Sequence, residues 1–136
     1  MPPMPYIVSY FAALVVFGIL DAIWLTTMAN RLYRPALGDI LLENLRFAPA
    51  LAFYFLYPIG LVVLAAMPAL RIGSAGAALG YGALFGLLAY ATYDLTNYAT
   101  LRNWTLQITL IDLAYGAIVA GLTSLAAYYA ASWFAG

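Results

Sequence analysis

The stretch SAGAALGYGALFGLLAYATYDLTNY (74–98) decides the fold. It is long and apolar enough to cross a bilayer as a helix, which takes about 20 residues. Near its end stands Asp94, one turn before Asn97, with Arg102 just beyond in the run TYDLTNYATLRNW (92–104). A carboxylate this deep in an apolar run is expensive in lipid, so it is expected to face protein or water and is a first candidate for function. Ser74, Ala78, Gly82 and Gly86 recur at every fourth position, a small-residue ridge that lets another helix approach closely. On a wheel of 100° per residue, Asp94 projects onto a second stripe of Gly76, Gly80, Ala83, Leu87 and Ala91. A face of mostly small residues favours burial of the acid against protein.

Working outward, three more stretches read as spans. The run from Tyr6 to Met28 is long enough to cross and carries Asp21, followed by Trp24. It lacks the basic n-region and cleavage site of a signal peptide, so it is expected to stay as a signal-anchor helix. Residues 48–67 form the second span, with Pro49 suited to a first helical turn and Pro58 expected to kink the middle. Pro68, Arg71 and Gly73 then predict a short turn into the third span. The fourth runs over 105–133, with Thr109, Asp112, Gly116 and Thr123 roughly along one side. Between the first two spans, ALGDILLENLRF (36–47) sets Leu37, Ile40, Leu41 and Leu45 opposite Asp39, Glu43 and Arg46. That pattern fits a short helix in the interface plane, or an early, wet start to the second span.

Composition agrees with this plan. The 136 residues are 67% hydrophobic and only 7% charged, and mean hydropathy is +0.96, whereas soluble domains carry about 25% charged residues. The expected fold is all-α: one polytopic membrane domain, a bundle of four transmembrane helices at about 6–28, 48–67, 74–98 and 105–133. Five Arg balance five acids, so no basic stripe exists for nucleic acid. With no His and no Cys, zinc, copper and His-ligated haem lose their usual ligands, and only oxygen ligands remain for a metal. No metal site and no cofactor is assigned.

The placement of Arg orients the chain. Arg31, Arg34, Arg46 and Arg102 lie after spans one and three, and Arg71 alone lies after span two. The positive-inside rule then makes the first set cytoplasmic and both termini periplasmic. Asp21, Asp94 and Asp112 are expected to share one level, two or three turns inside the cytoplasmic boundary. A faint repeat, FGIL (17–20) against FGLL (85–88), pairs the first and third spans.

DAIW (21–24), the run YDLTNYATL (93–101) and IDLAYG (111–116) together give the chain a resemblance to a known group. It resembles the bacterial membrane-protein family catalogued as domain-of-unknown-function family 2177, over nearly its whole length. The resemblance implies a four-helix protein of the bacterial inner membrane and brings no activity with it.

Three functional readings stay open at this point. The leading one is binding or transport of a proton, cation or small solute at a polar cluster of Asp21, Asp94, Asn97 and Asp112. Trp24, Tyr93 and Tyr115 would support it, Thr96 and Thr109 would be neutral ligands, and Arg102 the counter-ion. A second is an accessory subunit of a larger membrane complex, and a third an enzyme on a lipid or isoprenoid, with Tyr90 among its pocket aromatics. The bilayer is the first partner, and a second copy or another membrane protein is expected against the small-residue ridge. Each aspartate also has a bland reading, as helix glue through a hydrogen bond.

Overall fold

The computed structural model describes residues 3–38 and 46–135. Four helices in it are long and apolar enough to span a membrane: α1 (Pro3–Leu37), α2 (Phe47–Ile72), α3 (Ala75–Thr100) and α4 (Leu106–Phe134). They run up and down in chain order, and the fold is an all-α membrane bundle. The predicted interfacial helix falls mostly on residues 39–45, which lie outside the described residues.

Two boundaries differ from the sequence reading, and both differ at prolines. Helix α1 continues through 29–37, and α2 continues through Pro68 and Arg71 to Ile72. In each, one π-helical turn precedes the proline: Ala29–Tyr33 before Pro35, and Val62–Ala66 before Pro68. The Arg34 N–H bonds the Ala29 carbonyl, and the Met67 N–H bonds the Val62 carbonyl, each five residues back. A proline ring presses on the carbonyl four residues earlier. The wider π turn makes room for that ring, so the helix continues where a break was expected.

The true stop is Gly73. Its φ of 69° lies in the left-handed region, and the Ser74 N–H returns to the Ala69 carbonyl at 3.1 Å, a glycine-closed helix end. Ser74 then caps α3, its Oγ accepting the Ala77 N–H at 3.0 Å. At the other end of the bundle, Thr105 caps α4 by accepting the Ile108 N–H at 3.1 Å.

Helix α4 is the centre. It packs against α3 and α1 along most of its length, while α2 closes the side against α1 and α3. The α3–α4 contact follows the small ridge: a Cβ on Gly86 would strike the Gly116 carbonyl and Ala120, and one on Gly82 would meet the Ala120 carbonyl at 2.7 Å. The ridge is therefore consumed inside the bundle and is not free for a second copy. Helix α1 buries Pro5, Ser9, Ala13, Phe17 and Asp21, also every fourth residue.

This pattern corrects the wheel projection of Asp94. The acid is buried with Ala78, Gly82 and Gly86, whereas Gly76, Gly80 and Leu87 are exposed. A row of every fourth residue winds slowly around a helix, because four steps of 100° overshoot a full turn by 40°. Helices packed along such rows bury a winding line, which no straight stripe reproduces.

Candidate functional site

The antiparallel pairing of α3 and α4 determines which acids meet. Gly86 sits on Gly116, and one turn later the Tyr90 ring lies against Gly116. One further turn along the same row brings Asp94 to the level of Asp112. The Asp94 carboxyl is wholly buried, and the Asp112 carboxyl is its titratable neighbour across the α3–α4 contact. Among the described residues no donor reaches either Asp94 oxygen. A buried polar group without a partner is rare enough in folded proteins to demand an explanation.

Asp112 has a donor on its other side. The Tyr33 hydroxyl, at the end of the π turn of α1, donates to Asp112 Oδ1 at 2.5 Å. The same Tyr33 oxygen accepts the Trp24 indole N–H at 3.2 Å. Trp24 in turn stacks on Tyr115, with ring centroids 4.0 Å apart and planes 12° from parallel.

Asp21 stands beyond that stack, held by two phenols. The Tyr115 hydroxyl donates to its Oδ1 at 2.6 Å, and the Tyr54 hydroxyl of α2 donates to its Oδ2. Tyr90 closes the group, its ring edge-on to Tyr115 at 6.0 Å and to Tyr57 at 6.3 Å. The three aspartates thus form two adjoining sites, an acid pair and a phenol-clamped acid, joined through Tyr33, Trp24 and Tyr115. Asp21 and Asp112 are held by different phenols, Tyr54 and Tyr115 for the first and Tyr33 for the second.

The remaining expected members fall outside this network. Tyr93 is exposed and packs edge-on against Trp104 at 5.5 Å. Asn97 is half-buried and lies against Tyr93, and its carbonyl accepts the Leu101 N–H as the helix ends. Thr96 returns its hydroxyl to the Thr92 carbonyl of its own helix. Thr109 is buried but is taken by the Trp104 indole at 3.1 Å and the Thr105 carbonyl at 2.9 Å. Arg102 is exposed on the α3–α4 turn. The group facing Asp94 is Asp112, not the expected counter-ion.

Sequence reading missed Tyr33 and Tyr54 as members. A signal was present in Tyr54, which lies in the body of an apolar span rather than at its ends. A phenol in hydrocarbon needs an acceptor, and the membrane acids are the scarce acceptors here. Tyr33 carried no such signal, because the π turn that extends α1 was not expected. A shallow groove of about 140 Å³ flanks the Trp24–Tyr115 stack on the α1–α4 surface, lined by apolar residues that include Leu20, Ile23 and Ile118.

Fold and site together define a polytopic membrane protein with paired carboxyls inside its bundle. The family model described as "Predicted membrane protein (DUF2177)" matches residues 6–129, and the chain belongs to that family. No curated protein and no solved structure matches the chain.

Proposed function

We propose that this protein is a proton-binding device of the bacterial inner membrane, with the Asp94–Asp112 pair as the binding group. One observation carries the reading: Asp94 is buried with both oxygens undonated and another carboxyl facing it. Two ionised carboxylates about 4 Å apart repel by about 4 kcal/mol even at an effective dielectric of 20. A single proton converts that repulsion into an O–H···O⁻ hydrogen bond, the short and strong class. A hard cation needs about six oxygen ligands. Among the described residues no group of three or more Asp, Glu, His or Cys gathers to supply them.

The sidedness of the bundle follows from its Arg residues. Arg31, Arg34, Arg46 and Arg102 sit at the end carrying the α3–α4 turn, against Arg71 at the other. With the first end cytoplasmic, both termini face the periplasm.

Difference infrared spectroscopy of the purified protein across a pH titration tests the reading. The expected result is a carboxylic-acid C=O band that titrates in the wild type and is lost in Asp94→Asn, with circular dichroism unchanged. A folded Asp94→Asn protein with the same titrating band would overturn it.

A further inference from the structure

The proton-binding reading leaves open which aqueous phase supplies the proton. We infer that the Asp94–Asp112 pair exchanges with one side only, that of the α3–α4 turn, and that the other half of the bundle is a dry plug. The inference rests on the proton-binding reading and adds access to it.

Depth is the first argument. Asp94 is six residues from the end of α3 and Asp112 six from the start of α4, roughly 9 Å of helix. Towards the Gly73 end, α3 runs on for 19 residues and α4 for 22, about 28–33 Å. Asp112 keeps a sliver of exposure, 6%, while Asp94 has none. Asn97 and Asn103, both half-buried, lie on the short side.

The composition of the two halves is the second argument. Directly beyond the aspartates, Phe17, Tyr57, Leu61, Val119 and Ala120 form a buried cluster, with Phe85 packed on it. Past it, Ala13, Val62, Ala66, Met67, Ala127 and Ala131 fill the core. Ser9, Thr123 and Ser124 in that half are fully buried among these apolar side chains, and no hydrogen bond among the described residues links them to one another. The titratable groups beside the acid pair are Tyr33 from α1 and the exposed Tyr93 from α3; Tyr54 and Tyr57 of α2, Tyr90 of α3 and Tyr115 of α4 lie nearer Asp21.

One-sided pH steps test this. The wild-type chain is reconstituted in phosphatidylcholine–phosphatidylglycerol vesicles. Orientation is read in parallel from Arg102→Cys with an impermeant maleimide, since the chain has no cysteine of its own. The outer pH is stepped with the inner phase strongly buffered, in vesicles of either orientation. The carboxyl band abolished by Asp94→Asn, and independently by Asp112→Asn, is followed, while an entrapped dye reports leakage. The expected result is a full change in the band when the Arg102 side is acidified, none when the Gly73 side is, and dye decay no faster than in empty vesicles. A response from the Gly73 side, from both sides, or an accelerated decay overturns the one-sided inference and leaves proton binding standing. If no band depends on either aspartate, the proton-binding reading fails first and the inference falls with it.

Discussion

At the scale of single residues, Asp94 and Asp21 are opposite cases of the same side chain. Asp21 has a phenol on each oxygen, whereas Asp94 has no donor among the described residues. Their substitutions should therefore diverge. Asp94→Asn supplies an amide N–H to Asp112 in place of the shared proton and keeps the single negative charge of the pair, so it should leave stability nearly unchanged. Unfolding in detergent followed by circular dichroism reads this, and a clear loss of stability would contradict the undonated geometry. Asp21→Ala removes the acceptor of two phenols and should destabilise, by about 1–3 kcal/mol. Tyr115→Phe separates the roles of one residue: it keeps the stack on Trp24 and loses one hydrogen bond, a loss of about 0.6–1.7 kcal/mol on the membrane scale. A cost well above that range in the same unfolding assay would mean the hydroxyl holds more than Asp21.

Among the helices, the glycines of α3 make two populations that sequence alone treats alike. Gly86 and Gly82 meet backbone and Cβ atoms of α4, while Gly80 has open space where a Cβ would go. Gly86→Val should drive α3 from α4 and cost about 1–3 kcal/mol, the usual penalty of overpacking. It should also part Asp94 from Asp112, two turns along the same row, and weaken the titrating carboxyl band. Gly80→Ala should be neutral or slightly stabilising, by up to about 1 kcal/mol. Thermal unfolding of the pair checks the assignment, and equal effects would mean that the ridge is not the contact. The π turns belong to this scale as well. By carrying α1 past Met28, the first of them delivers Tyr33 to Asp112.

Taken as a whole molecule, the bundle has Arg102 and the Asp94–Asp112 pair towards one end and Arg71 at the other. Cysteines placed singly at Arg102 and Ile72, both exposed, should react with impermeant maleimide from opposite faces of the membrane, Arg102→Cys only after the cytoplasmic face is opened. Labelling of both from one face would break the two-sided plan. The ends of the bundle are themselves tied: Arg71 donates to the Tyr6 hydroxyl at 2.8 Å where α1 begins and α2 closes. The small-residue ridge, which the sequence offered equally to a partner, to a second copy and to packing within the bundle, packs on α4.

Much of this was present in the amino-acid sequence. Four spans, their up-and-down order and the three membrane acids follow from local composition, because the bilayer imposes length and apolarity on every crossing segment; the family resemblance came from the motifs DAIW, YDLTNYATL and IDLAYG. Helix ends at prolines were misjudged because a π turn is a local accommodation that propensity does not encode. Which acid faces which, and which tyrosine serves which acid, came from tertiary structure alone. These partners are set by the winding contact line between α3 and α4, and by the extra length of α1, so residues far apart in sequence, such as Tyr33 and Asp112, meet. A carboxyl's depth is written in the chain. Its neighbours are decided by how the helices cross.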